Sequence, residues 1–491
     1  MQDIAGEREI RIKRLEEIKK LGVDPYPASS RRSHYNKDII EKFDNLSASA
    51  EKVFVVGRLL SLRRHGGSIF ADLEDETSKV QVYFKKDTLG EVKFSLISNL
   101  LDAGDFVEVN GAVTKTHKGE ITVVAEDFKL LTKAIRPLPS QWYGLKDQEE
   151  RYRRRYVDLV MNPEVRTMFR KQCQFNQEFR NFYLKNGFIE TTTPVLEAIP
   201  GGAEADPFIT HHNTLDIDLY LRISLELYLK RLIVGGYEKV FEIGPVFRNE
   251  GMDTQHLQEF TLLESYEAYR DLEYLINFIE ELYVTVIKNT FGALKLQFRD
   301  TELDFNKPWP RLDYYELVQK YAGIDLSKFT DDVEKLKAEI SGKHIDLKIE
   351  KYEGLGRVID RLYKKTVRPH LMQPCVLVNQ PLSISPLAKK KVDDKNRVDR
   401  MQILIAGNEV GNGFAELNDA IDQKERFLEQ DKLREGGDSE AQMLDEDFVE
   451  ALEYGMPPTA GFGVGMERLF MLCANAPTIR DTVLFPTMKP K

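Results

Sequence analysis

Two short segments of the chain place a glutamate on a strand face that also carries apolar and aromatic side chains. Alternation predicts one such face in EFTLLESY and another in EVGNGFAELND. The residues on these faces are Phe260, Leu262, Glu264 and Tyr266 in the first segment and Asn412, Phe414 and Glu416 in the second. A buried carboxylate is costly unless a cation or a hydrogen-bond donor compensates it. A lysine or arginine of the chain could compensate either acid alone, whereas two such acids together predict a pocket for a positively charged ligand.

Two further segments carry charged residues close to the predicted ends of helices and strands. In RISLELYLKR a third acid, Glu226, lies near a predicted helix start, with Ser224 as the expected N-cap. In FRNEG the residues Arg248 and Glu250 follow a predicted strand. The guanidinium fork of Arg248 suits a phosphate or a carboxylate, and a purely structural Arg–Glu pair is the alternative interpretation.

The segment AGFGVGMERLF repeats glycine at every second position, Gly461, Gly463 and Gly465. A strand with this pattern has one face without side chains, where a flat ring or a backbone can approach closely. Arg468 follows where a helix is predicted to begin, and its planar guanidinium could cover the other side of a ring. The alternative is a glycine-rich strand packed against a helix. The sequence has no GxxxxGK[ST] loop and no strand-linked GxGxxG, so any nucleotide site has a different design.

The first third of the chain reads as a charged helix followed by a small barrel. The helix is predicted over 8–20, and five short strands separated by turn residues follow within 52–132. Five strands in that length suit an oligonucleotide-binding (OB) barrel. Arg58, Phe70 and Gln81 would lie on its open face, where they could stack on and hydrogen-bond to unpaired bases. A barrel with ordinary surface aromatics is the alternative.

The remaining two thirds mix helices with strands, and the predicted fold class is α+β. Tight turns between strand pairs favour an antiparallel sheet flanked by helices. The predicted helices are 165–185 and 270–290, the predicted strands are 239–247, 259–266, 403–416 and 460–466, and 311–370 is mostly helical. The predicted organisation is a helical extension (1–48), the OB barrel (49–135), a linker (136–160) and a catalytic domain (161–491). Within the linker, the basic cluster from Arg151 to Arg155 either contacts phosphates or caps a helix.

Composition excludes several other classes of protein. The chain has 491 residues, is 42% hydrophobic and 31% charged, and carries a net charge of −10. This charge argues against indiscriminate binding of nucleic acid, although a local basic surface stays possible. Cys173, Cys375 and Cys473 have no metal-ligand spacing and predict neither disulfides nor a zinc site. The charged N-terminus and the absence of a long apolar run predict a cytoplasmic protein with no membrane span.

Three segments resemble motifs 1, 2 and 3 of the class II aminoacyl-tRNA synthetases: GFIETTTPVL (187–196), VFRNEG with the following strand (246–266), and GFGVGMERL (461–469). IPGGAEADPF, SPLAKK and GNGFAELNDAIDQKERF resemble, more narrowly, the lysyl-tRNA synthetase family. The resemblance covers almost the whole chain. It implies an anticodon-binding OB barrel, a class II catalytic domain, and ATP-dependent formation of lysyl-adenylate, followed by transfer of lysine to tRNA(Lys). It also implies Mg²⁺ as cofactor and a homodimer formed through motif 1 with Pro194.

The resemblance also implies residue roles. The catalytic residues would be Arg248, Glu250 and Arg468, and the ATP-binding residues would add His256 and Phe260. The lysine-binding residues would be Gly202, Glu226, Arg248, Glu264, Tyr266, Asn412, Phe414 and Glu416. Glu409 would bind metal, with Gln402 as a doubtful second ligand, and Arg58, Phe70 and Gln81 would bind the anticodon.

Several residues depart from the family pattern. Gln255-His256-Leu257-Gln258 replaces the usual Arg-His-Asn-Pro, and Gln402 replaces a metal-binding Glu. Glu467 stands for the usual Asp of motif 3, and Leu225 for the usual Pro before Glu226. These departures keep open a catalytically weak tRNA-binding paralogue. A lysylase acting on a protein is the other alternative, although the protein-modifying paralogue lacks the barrel. Aspartyl- and asparaginyl-tRNA synthetases share the architecture, but an acidic pocket would repel aspartate.

Overall fold

The computed structural model describes residues 4–139, 145–350, 353–437 and 441–490. The chain forms two compact units, Met1–Arg151 and Tyr152–Lys491. The predicted boundaries of the extension, the barrel and the linker stay predictions, and the linker residues 140–144 lie outside the described residues. Among the described helices, none is long and apolar enough to cross a membrane.

The first unit is built around a closed barrel with the strand order β1-β2-β3-β5-β4. Its elements are α1 (Ile4–Lys20), α2 (Asn36–Glu41), α3 (Phe43–Ser49), β1 (Lys52–His65), β2 (Ser68–Glu74), β3 (Lys79–Lys85), α4 (Lys86–Leu100), β4 (Phe106–Lys115) and β5 (Ile121–Thr132). Alternate strand residues such as Val55, Ala71 and Val82 are fully buried and fill the barrel. The five predicted strands are confirmed. The sequence did not indicate α4, which packs Phe94 and Ile97 against the barrel core.

The second unit contains an eight-stranded sheet with the order β14-β15-β16-β17-β18-β11-β10-β6. All its strand pairs are antiparallel except β14–β15 and β10–β6, at the two edges. The strands of this unit are β6 (Ile189–Glu190), β7 (Leu196–Glu197), β8 (Ile209–His212), β9 (Ile217–Leu221), β10 (Lys239–Phe247), β11 (Glu259–Ala268), β12 (Lys295–Phe298), β13 (Thr301–Asp304), β14 (Arg311–Asp313), β15 (Cys375–Val378), β16 (Arg400–Ile405), β17 (Asn408–Ala415) and β18 (Thr459–Gly465). The predicted antiparallel sheet, and with it the α+β class, is confirmed.

Helices pack on both faces of this sheet. The helices in chain order are α5 (Gln148–Arg153), α6 (Arg155–Met161), α7 (Pro163–Lys185), α8 (Glu226–Val234), α9 (Leu272–Phe291), α10 (Tyr314–Ala322), α11 (Val333–Gly342), α12 (Leu355–Thr366), α13 (Ala420–Glu435), α14 (Glu446–Glu453) and α15 (Met466–Cys473). Short 3₁₀ turns occur at Leu326–Lys328, Arg368–His370, Leu382–Ile384 and Ile479–Thr482. Leu263 of β11 packs with α7, α9 and α15 in the main core, whereas its neighbours Leu262 and Tyr266 belong to a second cluster on the other face. Strand alternation thus separates the core face from the opposite face.

Two local predictions are wrong. The single strand predicted over 403–416 is a hairpin, because Ala406 and Gly407 turn the chain between β16 and β17 with φ of +50° and +70°. Two successive residues of positive φ are what a type I′ turn requires, and Ala-Gly is a weaker signal for it than Asn-Gly. Ser224 is not the N-cap of α8. Leu225 occupies that position, although Ser224 Oγ still accepts from the backbone N–H of Glu226 at 3.2 Å while its hydroxyl donates to Glu264.

Candidate active site

A cavity of about 650 Å³ lies in the second unit, on the sheet face that carries Leu262 and Tyr266. Every residue predicted for the catalytic site lines it. These residues are Gly202, Glu226, Arg248, Glu250, His256, Phe260, Glu264, Tyr266, Gln402, Glu409, Asn412, Phe414, Glu416 and Arg468. The structure therefore joins five segments that are far apart in the chain. Three adjacent strands, β17, β18 and β11, supply much of the floor.

At one end of the cavity, neutral donors hold Glu264. The Ser224 hydroxyl and the backbone N–H of Leu225 donate to Oε1 at 2.6 and 3.3 Å, and the Tyr266 hydroxyl donates to Oε2 at 3.0 Å. Burial and the nearby charge of Glu226 raise the pKa of Glu264 to about 7, although these hydrogen bonds act against the rise. Neutral donors thus fix this carboxylate in position, and no cation of the described residues is bonded to it.

The other two acids at this end share one buried lysine. Lys230 Nζ donates to Glu226 Oε1 at 2.5 Å and forms an ion pair with Glu416 Oε2. The Lys230 side chain is fully buried. Lys230 was not predicted as a site residue, although a lysine four residues after Glu226 on a helix is a recognisable pairing signal. We call Glu226, Glu264 and Glu416 the acid cluster.

Glycines make room for the acid cluster. Gly461 pairs with Tyr266 on one side and with Phe414 on the other, and Gly463 pairs with Glu264 and Asn412. A Cβ at Gly461 would overlap Glu416 Oε1 and lie 2.5 Å from the Tyr266 ring. A Cβ at Gly465 would lie 3.9 Å from the Phe260 ring, an ordinary contact. At Gly461 the missing side chain therefore makes room for Glu416 and Tyr266. At Gly465 it leaves free space beside the Phe260 ring.

At the opposite end, two arginines contact neutral groups. Arg248 donates to Ile223 O at 3.3 Å, and its guanidinium lies 5.2 Å from the centre of the Phe260 ring. Arg468 donates to Glu409 O at 3.1 Å and to Gln255 O at 3.3 Å. Within the described parts of the chain neither guanidinium is ion-paired to a carboxylate. Their charges are therefore available to an anionic ligand.

His256 has a local partner at the same end of the cavity. Its Nδ1 lies 2.7 Å from Asp253 Oδ2, and both side chains are exposed.

Glu409 and Gln402 lie on neighbouring strands of this end and could hold a cation. Burial acts to raise the pKa of Glu409, but the charges of Arg368, Arg400 and Arg468 outweigh it and lower that pKa. The carboxylate is therefore ionised. In the part of the chain that the structure describes, no group of three or more His, Cys, Asp or Glu side chains could hold a metal. One carboxylate and one amide suit Mg²⁺ only when other oxygen ligands, such as nucleotide phosphates, complete the set.

In the first unit, the three predicted anticodon residues lie on one outer face of β1, β2 and β3. Phe70 stacks on Tyr83 with ring centres 4.3 Å apart and planes 5° apart. The Gln81 amide donates to Glu120 Oε2 at 2.8 Å and accepts from the Thr122 hydroxyl. Arg58 lies further along the same face, where it donates to Gly104 O. Tyr83, which pairs across the strands with Phe70, enlarges the aromatic surface and was not predicted.

The segment of motif 1 and the adjacent small sheet β7-β9-β8 expose many apolar side chains. These are Ile189, Val195, Leu196, Ile199, Ile209, Leu215 and Ile217, each at least 36% exposed. Pro194 lies within this segment and is also exposed. A concentration of exposed apolar side chains is typical of a protein–protein interface.

An OB barrel followed by a mainly antiparallel sheet, with arginines and a glycine strip on its open face, defines the architecture of a class II aminoacyl-tRNA synthetase. The chain belongs to the tRNA synthetases class II (D, K and N), whose family model matches residues 147–489. Residues 53–131 match the OB-fold nucleic acid binding domain.

Curated relatives resemble the chain over nearly its whole length. It is 44% identical over 490 residues to the lysine–tRNA ligase of Pelotomaculum thermopropionicum, covering 100% of this chain and 96% of that protein. It is 47% identical over 485 residues to that of Thermoanaerobacter pseudethanolicus, covering 98% and 96%. The lysine–tRNA ligase of Moorella thermoacetica is 45% identical over 482 residues, with 98% and 97% covered.

Proposed function

We propose that the chain is a lysine–tRNA ligase. It joins lysine and ATP to form lysyl-adenylate and pyrophosphate, and then transfers the lysyl group to the 3′ end of tRNA(Lys). The observation that carries this proposal is the acid cluster, with three buried carboxylates at one end of a cavity whose other end presents two arginines. A ligand with ammonium groups at one end and phosphates at the other matches this distribution of charge.

The lysine side chain would be recognised by Glu264, Tyr266 and Glu416. Glu416 Oε1 is buried and has no hydrogen-bond partner among the described residues, while Oε2 is ion-paired to Lys230. A buried oxygen without a partner is costly, and a bound ammonium would satisfy it. Asn412 and Phe414 complete the walls of this end. Glu226, at the first turn of α8 and beside Gly202, would receive the α-ammonium of the substrate.

The nucleotide would occupy the other end. Arg248 contacts both the α-phosphate and the lysine carboxylate, which brings the nucleophile and the reacting phosphorus together. Phe260 and Arg468 hold the adenine between them, and Glu250 and His256 contribute further contacts to ATP. No side chain needs to act as a nucleophile, because the carboxylate of lysine attacks the α-phosphate and pyrophosphate leaves.

Glu409 and Gln402 are the residues that would hold Mg²⁺ together with the phosphates. When bound, Mg²⁺ supplies charge neutralisation at the phosphates. The ionised state of Glu409 supports this assignment, and the neutral amide of Gln402 makes it the weaker ligand.

The anticodon of tRNA(Lys) would bind the barrel through Arg58, Phe70 and Gln81, because the stacked Phe70–Tyr83 pair offers a flat surface to unpaired bases. The exposed apolar side chains around motif 1 favour a homodimer, which light scattering of the purified protein tests. The cytoplasmic location stays a prediction.

Amino-acid-dependent exchange between ATP and pyrophosphate, run separately with each amino acid, tests the activity. We expect exchange with lysine, its loss in Arg248→Ala, and charging of tRNA(Lys) by the wild type. Exchange with a different amino acid alone would contradict the substrate. Retained tRNA binding without any exchange would favour the tRNA-binding paralogue, and lysine exchange without tRNA charging would favour the protein lysylase.

A further inference from the structure

Lys230 is a fully buried ammonium in contact with two acids that line the pocket we assign to another ammonium. It lies on α8, one turn after Glu226, and reaches Glu226 and Glu416 with the same Nζ atom. The ring centres of Phe414 and Phe448 lie 5.4 and 5.8 Å from this nitrogen. Lys230 thus connects the acid assigned to the α-ammonium of the substrate with an acid assigned to its ε-ammonium.

The ammonium groups of the filled site match its three carboxylates in number when Lys230 is counted. The acid cluster carries three carboxylates, and a lysine substrate brings two ammonium groups. Its own carboxylate would be paired with Arg248 and does not enter this count. Lys230 supplies a third ammonium, ion-paired to Glu226 and Glu416, so that three ammonium groups face three carboxylates. Buried carboxylates are tolerated when such a balance is reached, and are protonated or destabilising when it is not.

Other cations near the acid cluster form no ion pair with it among the described residues. Arg400 lines the same cavity and its charge acts on Glu226, but its guanidinium donates to Asn412 Oδ1, Ile384 O and Ser385 Oγ and not to an acid. Arg231, the residue after Lys230, pairs with Asp445 and Asp447 outside the cavity. Among the cations that the structure describes, Lys230 is therefore the one ion-paired to the acid cluster.

We propose that Lys230 is a specificity-determining positioning residue. Its ammonium bridges Glu226 and Glu416 and cancels one of three negative charges, which leaves the pocket complementary to an amino acid with two ammonium groups. The inference rests on the proposed lysine–tRNA ligase function. An amino acid with a neutral side chain would leave one carboxylate of the pocket without a positive charge and is rejected for that reason.

The first experiment compares Lys230→Met with Arg231→Met in ATP–pyrophosphate exchange. Both variants remove one positive charge from α8, but only the first removes it from the acid cluster. We expect Lys230→Met to raise the KM for lysine at least about tenfold, since charge-assisted contacts lose their geometry, and to leave the KM for ATP within about twofold. Arg231→Met should change neither constant by more than about twofold.

The second experiment restores the missing ammonium to Lys230→Ala with n-propylammonium, which supplies the atoms removed from the side chain. We expect this cation, and not the uncharged 1-propanol, to lower the KM for lysine of the variant and to raise its melting temperature. Adding n-propylammonium to the wild type measures how far this cation competes with lysine for the substrate site. Removing one partner of a buried ion pair is destabilising, so the melting temperature is measured with and without the cation.

The outcomes separate the two proposals. An unchanged KM for lysine in Lys230→Met would show that Lys230 is structural. Equal increases in the KM for lysine and the KM for ATP, without rescue of Lys230→Ala by n-propylammonium, would show the same. A Lys230→Ala protein that stays unfolded with and without the cation would show the same. A wild type that exchanges with another amino acid and not with lysine contradicts the proposed function itself, and the inference falls with it.

Discussion

The two ends of the cavity bind charge in opposite ways. At the lysine end, donors already hold each carboxylate: Glu264 has three neutral donors, and Glu226 and Glu416 share Lys230. At the nucleotide end, Arg248 and Arg468 donate to backbone carbonyls. The lysine end is therefore organised before any ligand arrives, whereas the two guanidiniums of the nucleotide end lie near Glu409 without an ion pair among the described residues and stay open to an anion. Preorganised groups discriminate between ligands because they do not rearrange to fit the wrong one.

The departures from the family pattern do not alter the acid cluster. Gln255, Leu257 and Gln402 line the cavity. Leu225 and Glu467 have structural contacts instead: the Leu225 N–H donates to Glu264, and the Glu467 carboxylate accepts from Thr261 N. The acid cluster itself is complete. We therefore expect changes at the lysine end to have larger effects than changes at the nucleotide end.

A matched pair of glycines gives the largest expected contrast. Gly461→Ala should lower lysine-dependent exchange by about a hundredfold or more, because its Cβ would overlap Glu416 and lie 2.5 Å from the Tyr266 ring. Gly465→Ala should cost less than about fivefold, because its Cβ meets Phe260 at an ordinary 3.9 Å. Exchange rates and melting temperatures of both variants check this, and equal losses would refute the different packing of the two ends.

Neutralising one carboxylate at each end should separate the two substrates. Glu416→Gln should raise the KM for lysine at least about tenfold, since a charge-assisted contact is worth roughly 1.5–3 kcal/mol. Glu409→Gln should raise the KM for ATP and the Mg²⁺ requirement, and leave the KM for lysine nearly unchanged. Steady-state exchange with each substrate varied in turn measures both. If Glu416→Gln keeps the wild-type constants for lysine, Glu416 is structural.

The acid cluster should make lysine binding depend on pH near neutrality. The pKa of Glu264 is raised to about 7, so the carboxyl is increasingly protonated as the pH falls through 7 and loses its attraction for the substrate ammonium. The KM for lysine should rise by about tenfold from pH 8 to pH 6, while the KM for ATP changes less. Glu264→Gln should flatten this dependence. A KM for lysine that stays constant between pH 8 and pH 6 in the wild type would contradict the role of Glu264.

The smallest effect is expected at the metal position. Gln402→Glu adds a carboxylate next to Glu409 and should lower the Mg²⁺ concentration that gives half-maximal exchange by a few-fold, because carboxylates bind Mg²⁺ more strongly than amides. Titration of Mg²⁺ at fixed ATP measures the change. In a parallel titration, Glu409→Gln should raise the Mg²⁺ concentration that gives half-maximal exchange. The same Mg²⁺ requirement in the wild type and both variants would show that neither residue belongs to the metal site.

Much of the fold and of the candidate site follows from local patterns. Alternation placed Glu264 with Phe260 and Tyr266, and the structure has all of them on the cavity side of β11. The turn at Ala406–Gly407 was missed, because the residues around it are apolar enough to continue a strand and the turn signal is weak. That error moved no candidate residue out of the site, because Asn412 to Glu416 keep their alternation in β17 and just beyond it.

By itself, the sequence determined which residues share a strand face, where the glycine strip lies, and that several acids need partners, because these are properties of short segments. Only the tertiary structure decided which partner each acid has. Ser224 donates to Glu264 while accepting from the N–H of Glu226, and Lys230 joins Glu226 to Glu416. These pairings depend on how α8 packs against β11 and β17, and such contacts between distant segments leave no periodic signal in the sequence.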